Sequence, residues 1–440
     1  MYRLVYLKLA LLILSYTECI AQNYCLSDRF SETAYFDSSE IRVDSNITYA
    51  NPIHAFTQQI VDLKMDIYYP DLSIDSLALR PFILLIHGGA FLGGNRTEKS
   101  YECMEYARRG FVSATIDYRL GWNCSATDLL GICVLCQGGN ADIMTATYCA
   151  AQDARAAMRH IFSNASTYRI DTSALFIGGE SAGGITALHA TFWDQSEANS
   201  FDPNALSRAG SLDTAGNSIP SSYSIKAVIN SCGAISKDSA LLNNGNIPII
   251  NFHDEFDCVV PTQYGQVISC ICQPFYWTAG SSIIYSKLTA NNICTQYYQV
   301  PLSVNHCSYS KPELISKASC FLKSLFCQSC QSGFVNQTGT VVSCSMWNAI
   351  EDLAADQTKD YYELKSIGQN QYVLRRTEFT GELEFVVTDL CGRLIHSGKL
   401  LQGMQETYFS TESLSSGMYC LQVKTNSFRH CTKIIKPDSR

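Results

Sequence analysis

The sequence predicts an α/β fold with a doubly wound, mostly parallel sheet, followed by a small all-β domain of sandwich type. Between residues 62 and 327, apolar runs of strand length alternate with helix-like segments, which is typical of parallel βαβ units covered on both faces. After Cys344 this alternation stops, and from Gly381 to Lys436 alternating strand patterns are interrupted by glycines. The chain has 440 residues, 46% of them apolar, so it is long enough for about two to three domains.

The elements of the α/β part follow from apolar run length and composition. The predicted strands are Lys64–Tyr69, Phe82–Ile86, Val112–Asp117, Leu175–Gly178, Ile225–Asn230, Ile247–Phe252 and Tyr297–Leu302. The predicted helices are Ser100–Arg109, Ala150–Phe162, an Ala-rich segment that ends near Phe192, and Leu314–Phe326.

Two long polar segments interrupt this alternation, Trp122–Thr147 and Gln195–Ser224. Long loops within a compact fold often cover or shape a binding site, and disordered decoration is the alternative. The first segment contains three cysteines. We therefore expect residues 122–147 to form a disulfide-pinned wall of the pocket.

The N-terminus predicts export. Arg3 and Lys8 flank a short start, Leu9–Leu14 is apolar, and small-residue cleavage context follows, which together indicate a secretory signal peptide over residues 1–21. No later apolar run reaches membrane-spanning length. We then expect a catalytic α/β domain over residues 22–345, a linker over 346–365 and the β-rich domain over 366–440.

Charge and cysteine content restrict the partners. Charged residues make up 16% of the chain and the net charge is −8, which argues against nucleic acid. Twenty cysteines in an exported chain indicate disulfides in an oxidising compartment. Nineteen remain after residue 21, so at least one thiol is unpaired or pairs between chains. The two Cys-x-x-Cys pairs, Cys133/Cys136 and Cys327/Cys330, leave a zinc site as the less favoured alternative.

A Gly-Glu-Ser-Ala-Gly-Gly run begins at Gly179, directly after a predicted strand and at the start of a predicted helix. In this context Gly-x-Ser-x-Gly forms a crowded strand-to-helix turn that lifts the serine hydroxyl to the carboxyl edge of the sheet. The run predicts that Ser181 is a catalytic nucleophile.

His87-Gly88-Gly89-Ala90-Phe91 directly follows the predicted strand Phe82–Ile86. Acyl transfer builds negative charge on a carbonyl oxygen, and backbone N–H groups aimed at that oxygen stabilise it. We expect the oxyanion hole to consist of the amides of Gly88, Gly89 and Ala182. His87 is expected to support this loop by packing and hydrogen bonding.

Together with Ile116-Asp-Tyr-Arg-Leu120, these two motifs occur in the order found in carboxylesterases of the α/β-hydrolase superfamily, and the chain resembles that family over roughly Val61 to Phe326. The resemblance implies a triad in the order Ser, acid, His. It implies Asp257 as the acid, which precedes a Val-Val-Pro stretch, with Asp254 left open as an alternative. It implies His306 as the base, although Asn305 and Cys307 stand where the family has small residues.

Three stretches of the C-terminal part, Val386–Ile395, Leu414–Val423 and Lys433–Lys436, resemble the sorting domain of Bacteroidetes type IX secretion cargo. The resemblance implies that this domain engages an outer-membrane secretion machinery and that the protein is secreted or held at the cell surface. A generic small β-sandwich for carbohydrate or surface binding is the alternative.

The combined expectation is a secreted serine carboxylesterase that acts on a small-molecule or polysaccharide-linked ester through an acyl-enzyme on Ser181. This chemistry calls for no cofactor or metal. Two alternatives stay open, a serine peptidase of the prolyl-oligopeptidase type and a catalytically inactive adhesion or binding protein on the same fold. The sequence does not define the acyl or alcohol group, the disulfide pairing or the oligomeric state.

Overall fold

The computed structural model describes residues 24–122, 138–220, 222–270, 274–339 and 344, and in the C-terminal part 362–368, 371–376, 382–389, 394–401, 404–410, 417–424 and 429–436. The predicted signal peptide, most of the predicted linker and residues 123–137 of the predicted insertion lie outside these ranges. The larger of two compact units comprises Arg29–Leu322 and Cys330–Val342, and the C-terminal strands belong to the other. Each unit is described by itself.

A nine-stranded sheet forms the centre of the larger unit. Its strands are β1 Ile41–Ala50, β2 Leu63–Pro70, β3 Arg80–Ile86, β4 Val112–Ile116, β5 Ile170–Glu180, β6 Ile225–Ser231, β7 Ile249–Asp254, β10 Thr295–Val300 and β11 Gly333–Val335, in the order β1-β2-β4-β3-β5-β6-β7-β10-β11. β2 pairs antiparallel with both β1 and β4. The other neighbours in this order, β4-β3-β5-β6-β7-β10-β11, all pair parallel. The predicted mostly parallel sheet is confirmed.

Burial explains which strands the sequence revealed. All seven residues of β3 are buried, as its continuous apolar run predicts for a strand covered on both faces. Half of the ten residues of β1 are exposed and half are polar, and its pattern did not predict a strand. Strands β8 Tyr264–Gln266 and β9 Trp277–Ala279 form a separate short hairpin.

Seven α-helices that lie wholly within the described ranges accompany the sheet. They are α1 Ser100–Arg108, α2 Asn140–Ser163, α3 Ala182–Phe192, α4 Gln195–Phe201, α5 Ala205–Ala209, α6 Ser281–Ala290 and α7 Lys311–Phe326. No helix in the described ranges combines the length and apolar character needed to cross a bilayer.

Two sequence-based expectations are corrected here. Helix α2 begins ten residues before the predicted Ala150, inside the expected insertion. Its early turns bury Thr145 and Thr147 as well as Ile143, so no one-sided apolar pattern marks its start. The expected loop Gln195–Ser224 contains the short helices α4 and α5. The side chain of Asp194 caps α4 by accepting a hydrogen bond from the Glu197 N–H at 2.8 Å.

The C-terminal unit contains two antiparallel sheets. Its strands are β12 Tyr362–Gly368, β13 Gln371–Arg376, β14 Leu383–Asp389, β15 Leu394–Leu400, β16 Glu406–Ser410, β17 Gly417–Lys424 and β18 Arg429–Lys436, in the orders β12-β13-β16 and β15-β14-β17-β18. Apolar side chains from both sheets share one core, which includes Leu374, Phe409, Phe385 and Leu421. The predicted small all-β domain of sandwich type is confirmed.

Disulfides join distant parts of the sequence, as the cysteine content predicted. They include Cys25–Cys327, Cys232–Cys307, Cys258–Cys270 and Cys294–Cys330. The predicted pair Cys327/Cys330 therefore consists of two half-cystines with different partners. Cys103 and Cys149 are buried free thiols.

Candidate active site

The carboxyl ends of five parallel strands bring the candidate residues to one edge of the sheet. β3, β5, β6, β7 and β10 end at Ile86, Glu180, Ser231, Asp254 and Val300. The chain that leaves these ends carries Gly88 and Gly89, Ser181, Cys232, Asp257 and His306. Ligands of open α/β sheets bind at this edge, so the topology places all the predicted site residues where a substrate can meet them.

Ser181 occupies a strained turn between β5 and α3. Its backbone has φ 55° and ψ −120°, a left-handed conformation that is costly for a residue with a side chain. The turn closes because a glycine follows two positions later. A Cβ on Gly183 would lie 2.1 Å from the carbonyl oxygen of Ile86, a distance that no side chain tolerates. The serine side chain is thereby presented at the strand end.

The structure brings Ser181, His306 and Asp257 into one hydrogen-bonded chain. The His306 Nε2 atom lies 2.7 Å from the Ser181 Oγ, and Nδ1 lies 2.6 Å from the Asp257 Oδ2. A carboxylate only accepts hydrogen bonds, so Nδ1 carries the proton and Nε2 is free to accept the serine proton. This is the arrangement of nucleophile, base and orienting acid that acyl transfer requires.

Asp257 is buried and surrounded by donors. Its Oδ1 accepts hydrogen bonds from the N–H groups of Val259 and Val260, at 2.8 and 3.1 Å, and the His253 Nε2 lies 3.2 Å from Oδ2. Burial raises the pKa of Asp257, but hydrogen bonds from His253 and His306 outweigh it and lower the pKa to about 2. The Asp257 carboxylate is therefore charged at neutral pH, where it can accept the hydrogen bond from the His306 Nδ1–H.

Asp254, the alternative acid, has a different partner. It ends β7 and accepts hydrogen bonds from the Ser308 N–H, at 2.8 Å, and from the Ser308 hydroxyl. Ser308 lies two residues beyond His306, so Asp254 anchors the histidine-bearing loop while Asp257 contacts the imidazole.

The loop His87–Phe91, which is expected to form the oxyanion hole and is called the oxyanion loop below, is held by Tyr118. Its hydroxyl lies 3.1 Å from the carbonyl oxygen of His87 and 3.2 Å from that of Gly88, and the His87 Nδ1–H donates to the same Gly88 oxygen at 2.8 Å. In a trans peptide the C=O and the next N–H point in opposite directions. The N–H groups of Gly88 and Gly89 are therefore turned away from Tyr118. A Cβ on Gly88 would lie 3.3 Å from the Ser181 Cβ, which places this loop beside the nucleophile.

The third expected donor, Ala182, is the first residue of α3. The first N–H groups of a helix have no intrahelical acceptor, and the helix dipole makes this end favourable for negative charge. Gly88 lies beside Ser181 and Ala182 directly follows it, while the roles of Gly88, Gly89 and Ala182 as oxyanion donors stay predictions.

Other histidines serve as structure. Burial lowers the pKa of His87, whose ring stacks on Tyr118 with centroids 4.4 Å apart. Burial also lowers the pKa of His189 to about 3, and its Nε2 accepts a hydrogen bond from the Ser236 N–H at 3.0 Å. Both rings are therefore neutral at ordinary pH. His396 is exposed in the C-terminal unit.

The start of the predicted insertion lies against the oxyanion loop. The indole N–H of Trp122 donates a hydrogen bond to the carbonyl oxygen of Ala90 at 3.1 Å. The Trp122 ring packs edge-on against the Phe275 ring, with the ring centroids 4.9 Å apart. The pocket-wall role predicted for residues 122–147 falls mainly on residues 123–137, outside the described ranges, and stays a prediction.

The sequence did not reveal the roles of three residues of this site, although Asp254 was considered as an alternative acid. His253, Asp254 and Tyr118 all lie within motifs that the sequence displays, Asn251–Asp257 and Ile116–Leu120. Their position at strand ends beside the predicted triad was the available signal. Their hydrogen-bond partners, however, lie on segments that are distant in the sequence, so the contacts could be identified only from the folded structure.

Two family models match the chain. The BD-FAE family matches residues 143–239, which include Ser181 but end before Asp257 and His306. The secretion system C-terminal sorting domain matches residues 371–437. Both expected resemblances are confirmed, and the second match indicates export, to the medium or to the cell surface.

Among curated proteins, a non-reducing polyketide synthase, ausA, of Emericella nidulans is 36% identical over 92 residues. That stretch covers 21% of this chain and 4% of the synthase, so the chain spans only a small part of this relative.

Several solved esterase structures are similar to the chain. Esterase Est2 of Thermogutta terrifontis with propionate bound has 17% identity and a TM-score of 0.42, over 66% of this chain and 96% of that one. Esterase B of Lactobacillus rhamnosis has 17% identity and a TM-score of 0.41, over 73% and 96%. A bifunctional GH43-CE protein of Bacteroides eggerthii has 19% identity and a TM-score of 0.41, over 64% and 35%. With identities of 17 to 19%, these structures do not assign an activity to this chain.

Proposed function

We propose that this α/β-hydrolase with a secretion sorting domain is a serine carboxylesterase whose nucleophile is Ser181. The observation that carries the proposal is the hydrogen-bonded chain Ser181–His306–Asp257, with distances of 2.7 and 2.6 Å, with Gly88 of the glycine loop lying beside the Ser181 side chain. A binding protein that had lost catalysis would have no need to keep a nucleophile, base and acid in hydrogen-bonding register.

The proposed mechanism has two steps. His306 Nε2 takes the proton from the Ser181 hydroxyl as its oxygen attacks the ester carbonyl, and the Gly88, Gly89 and Ala182 amides stabilise the resulting oxyanion. His306 then gives the proton to the departing alkoxide, which leaves an acyl-enzyme on Ser181. Water, deprotonated by the same imidazole, releases the acid and restores the serine. Asp257 stabilises the imidazolium throughout.

The proposed substrate is a small-molecule or polysaccharide-linked carboxylic ester. Two features of the sequence, His87-Gly-Gly-Ala-Phe and Gly179-Glu-Ser-Ala-Gly-Gly, favour ester over peptide cleavage. A peptidase of the prolyl-oligopeptidase type remains the competing proposal because it shares the fold and the triad.

We assign the two activities of the chain to different regions. Residues 22–345 are proposed to carry catalysis, and residues 366–440 to engage the outer-membrane secretion machinery through the sorting domain. Residues 1–21 and 346–365 are proposed as signal peptide and linker.

The test is hydrolysis of a p-nitrophenyl ester series from acetate to palmitate, together with a panel of proline-containing peptide anilides. We expect ester turnover that disappears in Ser181→Ala and persists in Ser163→Ala, a matched loss of an exposed serine hydroxyl at the end of α2. A fluorophosphonate should label Ser181 in the wild type. Peptide cleavage without ester cleavage would support the peptidase, and no labelling of folded protein would support a binding role.

A further inference from the structure

The catalytic histidine is covalently tied to the end of β6, the strand next to β5, after which the nucleophile lies. Cys307 directly follows His306 and forms a disulfide with Cys232, 75 residues away. Cys232 directly follows Ser231, the last residue of β6. The carbonyl of Ser231 accepts the Ser181 N–H at 2.9 Å. One backbone hydrogen bond and one disulfide therefore link Ser181, through Ser231 and Cys232, to the residue that follows His306.

The histidine loop, residues 301–308, is also hydrogen-bonded to the loop that follows β7, which carries Asp257. Ser308 binds Asp254, the Leu302 N–H donates to the Glu255 carboxylate at 2.7 Å, and the Phe256 N–H donates to the Ser303 carbonyl at 2.8 Å. These contacts fix the histidine loop to the acid-bearing loop. In the part of the chain that the structure describes, the disulfide is the covalent connection from this loop to β6.

Both ends of the disulfide have unusual backbone conformations. Cys232 has φ 45° and Cys307 has φ 55°, in the left-handed region that residues with a side chain rarely adopt. Such conformations persist only where the surroundings enforce them. Opening the disulfide lets both residues leave this region, and His306 shares a peptide bond with one of them.

The geometry at His306 leaves little room for such movement. Proton transfer depends on the 2.7 Å contact between Nε2 and the Ser181 Oγ, and a displacement of about 1 Å can lower a rate on the order of 100-fold.

Reduction also creates a competing donor. The Cys307 Sγ lies 3.3 Å from the His306 Nε2. In the disulfide this sulfur carries no hydrogen. A dithiol reductant that gives two electrons and two protons to the disulfide, and is itself oxidised to a cyclic disulfide, leaves two thiols. The Cys307 S–H can then donate to the Nε2 lone pair that the Ser181 hydroxyl uses.

We propose that the Cys232–Cys307 disulfide is a positioning element for His306, so that the site works only in the oxidised chain. This inference rests on the esterase function proposed above. Cytosolic thiols are kept reduced and exported ones become oxidised. The chain would therefore be inactive before export and become active after it.

The test compares two double variants of the purified full chain. Cys232→Ala/Cys307→Ala removes the proposed element. Cys294→Ala/Cys330→Ala removes the matched control disulfide, which lies at the opposite end of β10 from His306. We expect kcat for p-nitrophenyl acetate to fall about 10- to 100-fold in the first variant, with KM changed less than about threefold. The control should lose thermal stability and keep its kcat.

Wild-type kcat in a folded Cys232→Ala/Cys307→Ala protein would overturn the inference. If that variant does not fold, oxidised wild-type protein is treated with dithiothreitol while thermal unfolding is monitored, and alkylated thiols are mapped by mass spectrometry. Activity that falls in step with alkylation of Cys307 supports the inference, and full activity after Cys307 is alkylated contradicts it. Failure of the esterase proposal is distinct, because oxidised wild-type protein would then hydrolyse no ester at all.

Discussion

The hydroxyl of Tyr118 lies 3.2 Å from the carbonyl oxygen of Gly88 and is buried with it under the oxyanion loop. This one contact, together with the 3.1 Å contact to the His87 carbonyl, sets the direction of two successive peptide groups. Arg119, the next residue, forms a buried ion pair with Asp153 of α2 at 2.7 Å, which holds the segment after β4 in place. Tyr118 thus orients the N–H groups of Gly88 and Gly89 through the carbonyl groups of the same two peptides.

Tyr118→Phe should lower kcat about tenfold with little change in KM. The ring still stacks on His87, but the hydroxyl that orients the Gly88 and Gly89 amides is gone. Removing an oxyanion donor outright costs about two to three orders of magnitude, and loosening two of them should cost part of that. The measurement is steady-state kinetics with p-nitrophenyl acetate.

Tyr106→Phe provides the matched control. Its hydroxyl is also buried, and in the described chain it has no hydrogen-bond partner. Removing an unpaired buried hydroxyl is neutral or stabilising, so this variant should keep wild-type kcat. Equal losses in the two variants would show that the hydroxyl of Tyr118 has no special role.

The two aspartates at the end of β7 predict different kinetic losses. Asp257→Asn should lower kcat by about three to four orders of magnitude, because the amide no longer selects the His306 tautomer with the proton on Nδ1. Asp254→Asn should lower kcat only about tenfold, because it loosens Ser308 without touching the imidazole. Kinetics of the two variants side by side, with circular dichroism to confirm folding, decide the assignment. The reverse ranking would make Asp254 the acid.

The lowered pKa of Asp257 predicts an acid-dependent loss of stability. Its pKa is about 2 in the folded chain, against 3.8 for an ordinary aspartate, so the unfolded chain takes up this proton first as the pH falls. The stabilisation is complete above about pH 4 and is lost as the pH falls towards 2. The difference in unfolding free energy between wild type and Asp257→Asn should therefore shrink by on the order of 2 kcal/mol over this range.

Urea unfolding at a series of pH values measures this effect. Ser181→Ala is the control, because a serine hydroxyl does not titrate in this range and its difference from wild type should stay constant. A difference between wild type and Asp257→Asn that does not change with pH would mean that His253 and His306 do not stabilise the charged carboxylate.

The sequence revealed those parts of the site that depend on local geometry. Ser181 and Gly88 lie in turns whose glycines are dictated by close backbone approach within a few residues, so a short motif is sufficient to place them. His306 came only from the order of elements in the family. The catalytic roles of these residues stay predictions, although the structure brings them within hydrogen-bonding distance of one another.

The remaining features depend on contacts between distant strands. The pairing of Cys232 with Cys307 spans 75 residues and depends on the sheet order β6-β7-β10, which periodicity does not reveal. Strand β1 was missed because half of its residues are polar and half are exposed, and it gains its place by pairing with β2. Helix α2 was predicted too short because its early turns bury polar as well as apolar residues, which leaves no one-sided apolar pattern at its start.

A buried ion cluster behind the nucleophile gives the last prediction. Lys99 is 5% exposed, and its Nζ lies 2.9 Å from the Glu102 carboxylate and 2.7 Å from that of Glu180, the residue before Ser181. Burial by itself would lower the pKa of Lys99, but the charges of Glu180 and Glu102 outweigh it and raise the pKa. Lys99 is therefore charged, and its ammonium group stabilises the carboxylates of Glu102 and Glu180.

Lys99→Met should destabilise the fold by about 3 to 5 kcal/mol, because it leaves Glu102 buried with less compensation. It should also lower kcat, since Glu180 loses its partner beside Ser181. Lys311→Met is the matched control. Its Nζ lies 3.1 Å from the same Glu102, but its side chain is 48% exposed, so its removal should cost less than about 1 kcal/mol. Urea unfolding of both variants compares them directly, and similar losses would show that burial does not decide the strength of these ion pairs.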